Sequence, residues 1–154
     1  MGQSEPAESS ADRVSRERQG SHLGRRRVRT VVADGSPDWR AVVAALLKIE
    51  KDVEVIARVE NGQEAIEAVT VFLPELAIID LRIGTLDALT TASLLRNQFP
   101  SLDVILMTDR DSPRIRATCQ ASGAKYVIHK ARFHEEFVPV LTQIKDRLIG
   151  SAVV

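Results

Sequence analysis

From Val28 onward, short apolar runs alternate with stretches in which apolar residues recur every three to four positions. The first pattern suits strands buried on both faces, the second suits helices that bury one stripe, and their regular alternation predicts repeated strand–helix units around a parallel sheet. Five such units can be counted, with strands expected at about 28–33, 53–59, 76–79, 104–107 and 125–129. Leu76-Ala77-Ile78-Ile79 and Val104-Ile105-Leu106-Met107 are apolar on both faces, as central strands covered from both sides should be. The helix after the first strand carries Trp39, Val42, Val43, Leu46, Leu47 and Ile49 near the 3.6 period, which assigns Trp39 to packing. Later helices are marked by Ala65, Ile66, Val69 and Phe72, by 87–99, by 113–122, and by Phe133, Phe137, Val140, Leu141, Ile144 and Leu148.

Local punctuation agrees with this periodicity. Ser36-Pro37-Asp38 reads as an N-cap, a first-position proline and an acid on the helix dipole. Asn61-Gly62 turns the chain into the second helix, Pro74 and Pro100 close the second and third, and Gly123 is a natural C-cap for the fourth.

Composition narrows the class. A chain of 154 residues with 44% apolar and 27% charged residues suits one globular domain, and its apolar set is rich in Val, Leu, Ile and Ala. The stretch 1–27 lacks periodic apolar residues and is expected to be a disordered Arg/Ser-rich tail, with a folded domain over 28–149 and a short tail over 150–154. Charge is uneven: of 21 basic and 21 acidic side chains, residues 1–29 hold seven Arg against four acids, so the remainder is mildly acidic. That balance argues against direct nucleic-acid binding, and Arg25, Arg26, Arg27 and Arg29 read as part of a solvated tail. A single cysteine, Cys119, excludes an intrachain disulfide and is expected to be a small buried apolar group. No apolar run approaches the roughly 18 residues a membrane span needs, and no signal-peptide core opens the chain, so a cytoplasmic protein is expected.

In open parallel sheets, ligands bind beyond the carboxyl ends of the strands, near the point where strand order reverses. Asp34 follows the first strand, Asp80 the third, Thr108 the fourth and Lys130 the fifth. One pocket can therefore collect two carboxylates, a hydroxyl and an ammonium. No Gly-rich phosphate loop, plausible Ser/His/Asp set or His/Cys metal cluster is present, and His22, His129 and His134 suggest no common site. This counts against a small enzyme or nucleotide binder.

The stretches VVADGSPDWRAVVAALL, AIIDLRIGTLDAL, VILMTDRD and SGAKYVIHK, in order and at fitting intervals, resemble the receiver domain of bacterial response regulators, most of all those that precede helix-turn-helix output domains. The resemblance covers residues 28 to about 147. It implies a flavodoxin-like, doubly wound five-stranded parallel sheet of order 2-1-3-4-5 with five helices. It also implies that Asp80 is the phosphoacceptor of a two-component phosphorelay, served by a sensor histidine kinase or phosphotransfer protein. Thr108 and Lys130 are expected to contact the phosphoryl group, and Mg2+ to be held by Asp34, Asp80, the backbone carbonyl of Arg82 and water. A phosphoacceptor of this kind is not an enzyme, beyond slow self-dephosphorylation. The face of the fourth helix, fifth strand and fifth helix is expected to carry a homodimer or output contact. No output domain is expected within the chain.

Four departures qualify that resemblance. Gly35 stands where a second acid is usual, and losing that carboxylate should cost about 1 to 3 kcal/mol of metal affinity. Asp38 is accounted for by the helix dipole without a metal. Val127 stands in place of an inward-swinging aromatic, with Tyr126 on the opposite strand face. Ala131 replaces the proline that often follows the lysine, so no cis bond is expected there, and Gly84-Thr85 replaces a common Pro-Gly. The sequence therefore reads as an atypical single-domain receiver with weak Mg2+ binding. The alternative is a pseudo-receiver, an interaction module that works without phosphorylation.

Overall fold

The computed structural model describes residues 26–83, 87–110 and 112–152. Most of the expected N-terminal tail and the Gly84-Thr85 position lie outside the described residues. Five parallel strands form one sheet in the order β2-β1-β3-β4-β5: β1 (Val28–Ala33), β2 (Val53–Val59), β3 (Leu76–Asp80), β4 (Asp103–Thr108) and β5 (Tyr126–His129). Between them run α1 (Pro37–Ile49), α2 (Gly62–Phe72), α3 (Ala88–Gln98) and α4 (Pro113–Ser122). After β5 a short 3-10 turn, Lys130–Arg132, leads into α5 (Phe133–Ala152). The expected end of the domain at 149 thus falls inside α5.

Alternation along the strands divides the interior into two layers. Val28, Val32, Leu76, Ile78, Ile105, Met107 and Ile128 face α1 and α5, meeting Val43, Leu47, Phe137 and Ile144. Ala33, Ala77, Ile79, Val104, Leu106 and Val127 face α2, α3 and α4, meeting Ala65, Val69, Leu95 and Cys119. Both faces of β3 and β4 are covered, which is why their sequences are continuously apolar. Tyr126 packs on the α1/α5 side and Val127 on the other, as alternation requires. Cys119 is buried in α4, and burial pushes its thiol pKa up.

The helix ends follow the local sequence. Ser36, Asn61, Asp87 and Ser112 each accept a hydrogen bond from a first-turn backbone N–H, satisfying donors that lack partners within the helix. Pro37 and Pro113 open α1 and α4, where a missing N–H costs nothing. Gly123 ends α4 at φ +113°, and a Cβ there would lie 2.8 Å from the Arg96 side chain, so both backbone and space require glycine.

Candidate functional site

Register brings the predicted side chains together. β1 and β3 are neighbours that pair Ala33 with Ile79, so Asp34 and Asp80 emerge side by side. β3 pairs Asp80 with Met107, and β4 pairs Thr108 with His129; Thr108 and Lys130 therefore each extend one residue further along the same edge. This edge lies where the chain passes from β1 outward in both directions, the position at which open α/β sheets leave a crevice.

Asp34 and Asp80 are each 1% exposed and Lys130 is 8% exposed, so three ionisable groups meet away from solvent. The two carboxylates are used alike. Asp34 Oδ1 accepts from the Ser36 N–H at 2.9 Å, and Asp80 Oδ1 accepts from the Arg82 N–H at 2.6 Å. Each Oδ2 turns to Lys130, whose Nζ lies 3.4 Å from Asp34 and forms a closer ion pair with Asp80. Neither Oδ2 accepts a hydrogen bond, so the single ammonium is its compensation. Two anions against one cation leave this trio one negative charge in excess. Such a group strongly favours an arriving positive charge, because burial weakens screening by water.

Several residues hold this arrangement, and sequence reading missed most of them. Arg40, on α1, donates to the Asp34 carbonyl at 2.7 Å and pairs with Glu60 at 3.3 Å, tying the loop after β1 to the loop after β2. His129 Nδ1 accepts from the Ala131 N–H at 3.1 Å and so caps the short turn that aims Lys130. Trp39 places its ring 4.9 Å from Lys130 Nζ, a cation–π contact. Its partial packing against the α1/α5 layer fits the periodic reading, but that reading omitted the ammonium. Position was the available signal: Trp39 lies in the first turn of α1, directly behind the loop that carries Asp34.

Thr108 is buried at the strand end as expected, with its hydroxyl directed at its own loop. It donates to the Arg110 carbonyl at 2.8 Å and accepts from the Arg110 N–H at 3.0 Å. Arg82, two residues past Asp80, sends its side chain outward to Asp109 at 2.8 Å, bridging the loops after β3 and β4 on the exposed side. Asp38 is exposed in the first turn of α1, in keeping with its dipole role. No peptide bond among the described residues is cis, so Lys130-Ala131 is trans as expected.

The donor set can be tested against a divalent cation. Two buried Oδ2 atoms without hydrogen bonds supply hard oxygen ligands of the kind Mg2+ takes. A Cβ on Gly35 would stand 3.2 Å from the Arg82 carbonyl oxygen, so the position of the missing acid is next to the expected third ligand. No cluster of three or more His, Cys, Asp or Glu ligands occurs among the described residues. The residues fit a cation that keeps most of its water.

Comparison with known proteins identifies the family and the fold. Residues 30–141 match the model of the response regulator receiver domain family. The chain belongs to that family. It is 29% identical over 112 residues to the probable transcriptional regulatory protein NarL of Mycobacterium tuberculosis, covering 73% of this chain and 52% of NarL. It is 26% identical over 102 residues to the transcriptional regulatory protein LnrK of Bacillus subtilis, covering 66% and 46%. The chain thus spans about half the length of these curated relatives. The solved signal receiver domain of the Mycobacterium tuberculosis NarL superposes with a TM-score of 0.72 over 78% of this chain and 98% of that domain. A receiver domain of CheB from Thermotoga maritima, 22% identical, shares the fold with a TM-score of 0.68. The flavodoxin-like order 2-1-3-4-5 is that of the receiver fold. Some relatives, such as the protein-glutamate methylesterase of Methanospirillum hungatei, are enzymes, but the match to this chain covers only 30% of that protein. Among the described residues, no helix is long and apolar enough to cross a membrane.

Proposed function

We propose that this receiver accepts a phosphoryl group on Asp80 Oδ2 from a phosphohistidine of a sensor kinase or phosphotransfer protein. The observation that carries the reading is a buried carboxylate with one oxygen fixed by the Arg82 N–H and the other facing an ammonium. Oδ2 attacks phosphorus, the new P–O bond replaces the P–N bond, and the imidazole leaves with the electron pair and takes up a proton. Lys130, already beside Oδ2, stays close enough to pair with a phosphoryl oxygen. Thr108 serves that group once its hydroxyl exchanges the Arg110 carbonyl for a phosphoryl oxygen. A bound Mg2+ supplies charge neutralisation, and Asp34, Asp80 and the Arg82 carbonyl are the residues that hold it. With Gly35 in place of an acid, its binding is weak. The product is a phosphoprotein in the cytoplasm, and the chain itself catalyses at most slow hydrolysis of its own acyl phosphate.

The test is titration with beryllofluoride or a small phosphodonor in magnesium, followed through Trp39 fluorescence and intact mass. A saturable change that Asp80→Asn removes supports the reading. An unchanged spectrum and mass at millimolar magnesium rejects it.

A second reading is favoured by one feature. Glu136 of α5 receives Arg116 of α4 at 3.4 Å and the His129 N–H of β5 at 2.6 Å, while Arg116 also donates to the Val127 carbonyl at 3.1 Å. These bonds clip together the face on which a receiver of this kind would change shape, at the site where Val127 replaces an aromatic. A pseudo-receiver with a fixed partner surface fits that clip, and partner binding unaffected by Asp80→Asn would distinguish it.

A further inference from the structure

Trp39, in the first turn of α1, meets the site through Lys130. Its ring lies 4.9 Å from Lys130 Nζ, and the same nitrogen makes the ion pairs with Asp34 and Asp80. An aromatic face attracts a cation most strongly where water is scarce, and this ammonium is 8% exposed. The ammonium is therefore held by three partners on three elements: the loop after β1, the end of β3, and the first turn of α1.

We infer that Trp39 is a positioning residue that keeps the Lys130 ammonium between Asp34 and Asp80, and thereby makes that ammonium the competitor of an incoming divalent cation. The inference rests on the magnesium-binding part of the proposed function. Its physical basis is that both carboxylates expected to hold the metal already turn an oxygen to Lys130. A cation approaching either carboxylate meets the ammonium's charge first, so the ammonium must shift within the pocket, and the ring stabilises the arrangement before that shift. With Gly35 supplying no extra carboxylate to favour the metal, this competition has more influence on affinity here than it would beside a third acid. The indole is also the chain's one tryptophan, so the same contact gives the exchange an optical signal.

A double-mutant cycle on magnesium affinity tests this, with Trp39→Leu, Trp39→Phe, Lys130→Met and the Trp39→Leu/Lys130→Met pair, each first shown to unfold cooperatively in urea. Trp39→Leu is expected to tighten magnesium binding about threefold to tenfold, Trp39→Phe to fall between it and the parent, and the Trp39 effect to vanish in the Lys130→Met background. The metal-free readout is the Lys130 ammonium signal in nitrogen NMR. It should persist in the parent and in Trp39→Phe, and broaden through faster exchange with water in Trp39→Leu. Equal shifts of affinity with and without Lys130, or an ammonium signal indifferent to Trp39→Leu, would overturn the inference. If the parent binds no magnesium while the ammonium signal still depends on Trp39, the proposed metal site fails and the positioning role stands.

Discussion

Two regions joined through β5 balance their charges in opposite ways. At the strand ends, Asp34 and Asp80 share one ammonium, and neither Oδ2 has a hydrogen bond of its own. On the neighbouring face, Glu136 is met by Arg116, by Arg132 at 3.5 Å and by the His129 N–H. The first region is short of positive charge. The second has its carboxylate saturated and needs nothing further. A charge-deficient pocket and a fully paired face can lie side by side because their carboxylates are met by different cations, Lys130 in one and Arg116 with Arg132 in the other. Lys130 serves the first region alone, whereas His129 touches both: its N–H donates to Glu136 and its Nδ1 caps the turn that aims Lys130.

The largest effect is expected at Lys130. Lys130→Met leaves two buried carboxylates without their ammonium and should cost about 3 to 5 kcal/mol of stability at neutral pH, measured by urea unfolding. Loss of less than about 1 kcal/mol would mean that the pocket is wetter than its burial indicates. Adding charge is the next largest change: Gly35→Asp should tighten magnesium binding by roughly 1 to 3 kcal/mol, read by calorimetry, provided the Arg82 carbonyl gives way to the new Cβ. Glu136→Gln should remove the charge from the clip and cost about 1 kcal/mol, since the pair is only partly buried. Hydrogen exchange should rise at β5 and the start of α5 while beryllofluoride binding at Asp80 is unchanged.

The smallest effect comes from a cap outside both regions. The Thr90 N–H and hydroxyl, with the Leu89 N–H, hold the Asp87 carboxyl below its ordinary pKa near 3.8. Its contribution is present above the unfolded value and is lost as pH falls through the lowered folded value. Asp87 is exposed, so the loss should be under about 1 kcal/mol and confined to acid below about pH 4. Asp87→Ala should flatten that part of a stability-versus-pH curve without moving either region.

Most of the fold was legible because its signals are local. Doubly apolar β3 and β4, the N-cap Ser36, the turn at Asn61-Gly62 and the C-cap Gly123 each declare their structure within a few residues. Asp34, Asp80 and Lys130 were legible as strand-end residues because parallel topology gathers such ends on one edge. What could not be read was orientation across long sequence separations. Trp39 satisfied the helical period, so nothing local showed that its ring also meets Lys130. The Thr108 hydroxyl lay at the expected place, but its bonds to Arg110 depend on a loop conformation that composition does not fix. The clip around Glu136 joins α4, β5 and α5 through side chains whose charges resemble any solvated helix face.

The outermost strand β2 pairs with β1 through a register shift: Thr30 lies opposite Val55, but Val31 lies opposite Ala57, leaving Ile56 over. That surplus residue lets Val55 serve one layer and Val59 the other. It also makes the free rim a poor template for a foreign strand, since a straight partner cannot follow the offset and must approach exposed Glu54 and Arg58. The irregularity thus guards against self-adhesion into fibrils along a border that would otherwise invite it.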